Sequence, residues 1–191
     1  MSLEKLINNQ HTDKNTTHSY IPLYEKLLHP IRDTAKNVLE IGIGNFKAKN
    51  GGSILLWSQY FSNAKIYGID ILPKHRVLDE LYEKDNVELI TETNGYNKNF
   101  IDDKLKDKKF DFLLDDGPHT LKSQEDFVEL YSPLLNENGI LIVEDVQSIE
   151  WLKKLTDKTP EHLKTFIKIY DLRENKGRYD DIVFTIDRIN R

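Results

Sequence analysis

Two short stretches carry the side chains best suited to chemistry. In one, the apolar run Phe110-Asp111-Phe112-Leu113-Leu114 ends in Asp115-Asp116-Gly117-Pro118-His119; in the other, Gly139-Ile140-Leu141-Ile142-Val143 ends in Glu144-Asp145. Apolar runs of this length, bounded by turn residues, read as buried strands of a parallel sheet. The segment between them, Leu121 to Leu135, is long enough for a crossover helix. Strand, helix and strand then bring both acidic ends to one carboxyl edge, where open α/β sheets bind ligands. Neighbouring strands lie about 4.8 Å apart, so Asp115, Asp116, Glu144 and Asp145 converge, with His119 beside them. Two carboxylates about 5 Å apart repel by roughly 3 kcal/mol at an effective dielectric near 20. Either a proton or a cation must relieve that repulsion. An all-oxygen set of Asp116, Glu144 and Asp145 suits a hard divalent ion, Mg²⁺ first and Ca²⁺ or Mn²⁺ next. The competing reading is that some of these acids are solvated strand ends or hold the Gly117 turn.

The elements that must position this edge are legible along the chain. Its 191 residues fit one domain. Residues 1–18 are polar and read as irregular after a short first helix. Tyr20 to Leu28 has helical spacing (Ile21, Tyr24, Leu27, Leu28) and ends at Pro30. Asn37 to Ile41 reads as the first strand, running into Gly42-x-Gly44. Gly51-Gly52-Ser53 precedes an amphipathic helix with Ser53 as its N-cap. Ala64 to Ile71 reads as the second strand, and Pro73 opens a helix to about Glu83. Val87 to Ile90 is a third strand and Asn97 to Leu105 a short helix. Ile149 to Leu155 and Glu161 to Lys164 read as helical. Thr165 to Leu172 and Asp181 to Ile186 read as two last strands, joined too closely for a crossover and therefore antiparallel. The expected fold class is α/β: a Rossmann-like, seven-stranded, mostly parallel sheet with an antiparallel C-terminal hairpin and helices on both faces. Within one domain, residues 1–30 form an N-terminal cap segment and 31–191 the core.

Composition excludes several classes. A net charge of −5, with no Arg/Lys-rich stripe, argues against a nucleic-acid or acidic-membrane binder. Cysteine is absent, which removes disulfides, thiolate metal sites and a cysteine nucleophile. No run approaches 18 apolar residues and no signal core opens the chain, so a cytoplasmic location is expected by default.

Glu40-x-Gly42-x-Gly44 lets backbone approach a ligand closely. A dinucleotide fingerprint would have a third glycine at position 47, where this chain has Lys47. Asp70 ends the second strand and can accept the two hydroxyls of a ribose, or it can cap the turn before Pro73. These features alone do not separate a nicotinamide nucleotide from an adenosyl cofactor. The C-terminal hairpin helps, because it resembles the seventh-strand insertion of class I S-adenosylmethionine methyltransferases.

More specifically, Leu39-Glu40-Ile41-Gly42-Ile43-Gly44 resembles the first cofactor motif of those enzymes. Gly51-Gly52-Ser53-Ile54-Leu55-Leu56-Trp57, Asp115 to His119 and Val143-Glu144-Asp145 resemble the metal-dependent sugar O-methyltransferases. Thr12-Asp13-Lys14 with His18, Tyr20, Tyr24 and Glu25 is similar to the N-terminal segment of that group, and Asp180-Asp181-Ile182 to its final hairpin. The resemblance implies S-adenosyl-L-methionine and Mg²⁺ as cofactors, with Asp116, Glu144 and Asp145 on the metal and His119 as general base. It implies Glu40, Gly42, Ser53 and Asp70 around the cofactor, Asp115 toward its amino group, and His18 and Tyr20 at the substrate mouth. The implied partner is a small molecule, a sugar or sugar nucleotide, with a homo-oligomer allowed. Pro118 stands where the family usually has Ser, and Thr91-Glu92-Thr93-Asn94 lacks the usual adenine loop. Three other readings stay open: a catechol-type O-methyltransferase, an NAD-dependent oxidoreductase or epimerase, and a non-catalytic cofactor-binding module.

Overall fold

The structure is a computed structural model that describes residues 1–44 and 49–189; Lys47 lies outside the described residues. Seven strands, β1 (Asn37–Ile41), β2 (Lys65–Ile69), β3 (Val87–Ile90), β4 (Phe110–Asp115), β5 (Leu135–Val143), β6 (Ile167–Asp171) and β7 (Ile182–Asp187), form one sheet in the order β3-β2-β1-β4-β5-β7-β6. The first five pair in parallel. β7 inserts between β5 and β6 and runs against both, as the short hairpin connection requires. Cα register aligns Ile41 with Asp115 and Asp115 with Val143. The carboxyl ends of β1, β4 and β5 therefore finish level, and the acids that follow β4 and β5 share one edge, beside the β1/β4 boundary where strand order reverses.

The α-helices are α1 (Leu3–Leu6), α2 (Tyr20–Leu28), α3 (Gly52–Tyr60), α4 (Lys98–Lys104), α5 (Leu121–Tyr131), α6 (Ile149–Lys158) and α7 (Arg173–Lys176). Strand side chains alternate between two cores, as the period-2 pleat demands. Val38, Ile66, Phe112, Leu114, Ile140 and Ile142 pack with α1, α2 and α3 on one face. Leu39, Tyr67, Leu113, Leu141, Val143 and Phe184 pack with α4, α5 and α6 on the other. Local caps agree with this arrangement: Thr120 and Ser123 close a capping box on α5, and Asn97 and Ser148 cap α4 and α6. No described helix is long and apolar enough to cross a membrane.

Four local expectations change. The helix expected from Pro73 to Glu83 is two 3₁₀ turns, Lys74–Arg76 and Asp79–Glu83. Between them Val77 bridges to Asn50 and the Leu78 amide donates to the Asn50 carbonyl, so the backbone is held extended where a helix would have to continue. Ser53 does not cap α3; Gly51 does, with φ of 104°. Nor is α3 amphipathic: every residue except Gln59 is buried, because α1 and α2 cover the side turned away from the sheet. Finally, β5 begins at Leu135 rather than Gly139, across an irregularity in its register with β4.

Candidate active site

The two acidic turns are built on unusual backbone. His119 and Asp145 adopt left-handed conformations, with φ of 52° and 54°. Such a conformation costs a non-glycine residue about 1–2 kcal/mol, and it is tolerated where surrounding structure over-determines it. Gly42, at φ 83°, makes room for the first turn: a Cβ there would lie 2.0 Å from the Asp116 carbonyl oxygen. The Asp116 amide in turn donates to the Ile41 carbonyl (2.8 Å), which locks the end of β1 to the turn after β4.

The carboxylates meet as expected, and they meet a cation that belongs to the chain. Lys14 is 1% exposed, and its Nζ donates to Asp116 Oδ2 at 2.7 Å and to Glu144 Oε1. The other Glu144 oxygen accepts from the Tyr24 hydroxyl, and Asp145 Oδ1 accepts from the Tyr20 hydroxyl. Asp145 Oδ1 also lies 3.2 Å from His18 Nδ1, which sits 2.6 Å from Asp181 Oδ1. His119 Nε2 faces both Asp145 Oδ2 (3.3 Å) and Asp116 Oδ1 (3.7 Å). Glu40, deeper in the sheet, accepts from Ser53 Oγ and Trp57 Nε1, each at 2.5 Å. Rings of His18, Tyr20, Tyr24 and Trp57 succeed one another at centroid separations of 4.9, 5.8 and 6.0 Å. This aromatic file buries its apolar faces and spends its polar tips on the acids.

A cavity of about 800 Å³ opens at this edge. Gly42, Ser53, Asp70, Asp116, His119 and Asp145 lie on its wall. Asp70 receives the Ile43 and Leu72 amides at 2.6 and 2.9 Å, so it organises both turns as well as facing the cavity. The other expected residues sit behind the wall. Glu40 is bonded to α3. Asp115 Oδ1 accepts from the Tyr96 hydroxyl at 2.5 Å, beneath Gly117. Glu144 is turned toward Lys14 and Tyr24. His18 and Tyr20, expected at the substrate mouth, are buried behind Asp145 and support it instead. Burial of their polar tips against Asp145 and Asp181 leaves them no access to the cavity. Lys14, Tyr24 and Trp57 each hold a site carboxylate, a role that their local sequence does not mark. Nor does local sequence mark Asn9 to Asp13 and Thr16, which line the cavity.

Asp116, His119 and Asp145 each offer a ligand atom within 4.8 Å of the others. The two carboxylates are hard oxygen donors that fit Mg²⁺ or Mn²⁺, whereas the imidazole is a softer donor that stands beside them. Glu144, the third expected ligand, has both carboxylate oxygens bonded, one to Lys14 and the other to Tyr24.

Burial shapes the protonation of the whole cluster. It raises Glu40 to about 7, against an opposing pull from Lys14, and Asp115 to about 7, against the Tyr96 hydrogen bond. It raises Asp116 to about 8 despite Lys14, and moves Glu144 well up, with Asp116 adding to the shift. Burial acts to lower Lys14, but Asp116, Glu144 and Glu40 outweigh it and hold the ammonium charged. His119 is lowered by burial. An acid whose folded pKa is raised favours folding below its unfolded pKa, and that contribution is lost as pH climbs through the folded value. His119 has the opposite sign, one group against four. Without added divalent ion, the free energy of urea unfolding is therefore expected to fall from pH 5 to pH 8. A rise over that interval, measured in chelator, would show that these acids are already ionised at low pH in the folded chain.

Comparison with known proteins places this geometry. No family model matches the chain. It is 31% identical over 142 residues to the 8-demethyl-8-alpha-L-rhamnosyl tetracenomycin-C 2'-O-methyltransferase of Streptomyces olivaceus, covering 73% of this chain and 36% of that protein. It is 29% identical over 139 residues to the mycinamicin VI 2''-O-methyltransferase of Micromonospora griseorubida, covering 70% and 33%. The chain thus spans about a third of the length of these relatives. Among solved structures, the MycE methyltransferase in complex with Mg, SAH and mycinamycin VI superposes with a TM-score of 0.75 at 22% identity, over 98% of this chain and 53% of that one. Fibrillarin from Aeropyrum pernix, with S-adenosyl-L-methionine bound, superposes less closely, with a TM-score of 0.57 at 16% identity over 82% and 67%. The seven-stranded sheet with its reversed β7, taken together with the sequence relatives, identifies the chain as a member of the sugar O-methyltransferase family within the class I S-adenosylmethionine methyltransferases.

Proposed function

We propose that the chain transfers the methyl group of S-adenosylmethionine to a hydroxyl of a sugar or glycosylated small molecule. The observation that carries this reading is the placement of His119 between two carboxylates, Asp116 and Asp145, on the wall of a cavity that also holds Gly42 and Asp70. Gly42, Ser53 and Asp70 border the cofactor, with Glu40 and Asp115 supporting that wall from behind. Residues 1–30 act as a cap on the core 31–191, consistent with Asn9 to Asp13 lining the cavity.

Asp116 and Asp145, joined by Glu144, would hold Mg²⁺ or a similar ion, which when bound lowers the pKa of a hydroxyl beside it. His119, kept neutral by burial, accepts the hydroxyl proton. The oxygen's electron pair forms a bond to the methyl carbon as the carbon–sulfur bond breaks, and that pair returns to sulfur. Because the sulfonium is already activated, positioning the two reactants supplies much of the acceleration. Asp145 is held in place by Tyr20 and His18, which fixes one side of His119. The proposed partner is a small molecule, free of nucleic acid and membrane, met in the cytoplasm by a chain able to form homo-oligomers.

Calorimetric titration with S-adenosylhomocysteine and, separately, NAD tests the cofactor. Methyl transfer to a panel of nucleotide-linked sugars, glycosides and catechols tests the acceptor. The expected result is S-adenosylhomocysteine binding without NAD binding, and Mg²⁺-dependent methylation of a sugar hydroxyl that chelator abolishes. NAD binding alone would return the chain to the oxidoreductase reading, and transfer confined to catechols would replace the acceptor class.

A further inference from the structure

The buried lysine is the feature that the proposed chemistry does not use. No other lysine or arginine among the described residues is buried. Its ammonium bonds to Asp116 and Glu144, residues 102 and 130 positions away in sequence, so the N-terminal segment is anchored in the sheet edge. The same segment, from Asn9 to Thr16, walls the cavity. The His11 main chain packs so tightly on the start of α3 that a Cβ at Gly52 would lie 2.2 Å from the His11 carbonyl oxygen. On its outer side, Lys176 of α7 donates to the Asn15 and Thr16 carbonyls at 2.8 and 2.7 Å.

We propose that Lys14 is the resident counter-ion of this carboxylate cage. Its ammonium and a divalent ion compete for Asp116 and Glu144, and ion binding withdraws Lys14 together with the segment that closes the cavity. The inference rests on the reading of Asp116 and Asp145 as cation ligands. The physical reason is charge. A hard divalent ion needs several carboxylate oxygens, yet both Glu144 oxygens and one Asp116 oxygen are committed to Lys14 and Tyr24. Repulsion between a fixed ammonium and a dication a few ångströms away is large in a site of low effective dielectric. Ion affinity must therefore include the cost of displacing the lysine.

The test is calorimetric titration of Mn²⁺ into the full chain and into Lys14→Met, with amide hydrogen exchange of the unmodified chain followed in parallel. The Met variant is expected to bind Mn²⁺ about tenfold or more tightly than the unmodified chain, a difference of about 1.4 kcal/mol or more. In the unmodified chain, saturating Mg²⁺ is expected to speed exchange across residues 9–17. Equal or weaker Mn²⁺ binding by a Met variant with native circular dichroism overturns the proposal. So does exchange in that segment that is unchanged or slowed by Mg²⁺, and this readout decides the matter if the variant does not fold. Absence of ion binding in both proteins also overturns it. S-adenosylhomocysteine binding, titrated on the same samples, separates the two claims: its loss alone removes the methyl-transfer reading and leaves the lysine competition standing.

Discussion

Trp57→Ala is expected to lower the free energy of unfolding by about 3–5 kcal/mol through lost packing alone. Trp57 is fully buried in the middle of α3, meets Phe112 edge-on at 5.3 Å, and lies 6.0 and 6.4 Å from Tyr24 and Phe61. The indole also donates to Glu40 Oε2, a carboxylate with no exposure. Deleting that donor leaves a buried acceptor short of a partner, which adds about 1–3 kcal/mol. Trp57→Phe separates the two contributions, because it keeps most of the ring and removes only the N–H. Urea unfolding of both variants is the measurement. A loss below about 2 kcal/mol for the alanine variant, against the 3–5 kcal/mol usual for such truncations, would mean that α3 is not pinned between sheet and α2 as described. The effect should reach the site as well, since the Tyr24 ring rests on Trp57 and its hydroxyl holds Glu144.

The frame of this site could be read from sequence because its signals are short-range. Apolar runs, ended by Gly42 after β1 and by paired acids at the ends of β4 and β5, fix which edge carries Asp116 and Asp145 before any contact is known. A polar connection too short for a crossover forces β7 to reverse. The errors arose where a distant partner decides. Lys74 to Glu83 has helix-forming residues, but a bridge from Asn50 to Val77 holds it extended in the middle. Ser53 has the side chain of a cap, but Gly51 can take the left-handed turn and Ser53 is claimed by Glu40. Lys14 lies in a polar stretch with no apolar periodicity. Nothing local marks it as buried, and only the assembled cage of acids explains why an ammonium is stable there. His18 and Tyr20 were expected at the substrate mouth, yet they lie behind Asp145, where Asp181 at the entry to β7 holds His18.

His119→Asn is expected to reduce kcat by about 10²–10⁴-fold, the range typical for loss of a positioned general base. Asparagine is the informative replacement because it tolerates the left-handed backbone this position requires, whereas alanine would add strain to the loss of the ring. S-adenosylhomocysteine affinity should be unchanged, because Gly42, Ser53 and Asp70, the residues proposed to border the cofactor, are intact. The pH profile gives a sharper signature. Burial lowers the His119 pKa below its ordinary 6.5, so the imidazole is neutral and able to accept a proton at pH 7. The acid limb of kcat in the unmodified chain should fall below pH 6.5 and should vanish in the variant. A variant with an unchanged melting temperature, near-native turnover and the same acid limb would exclude His119 as base. The proton would then have to go to Asp145, whose Oδ2 lies 3.3 Å from His119 Nε2, and Asp145 could no longer be assigned to the cation.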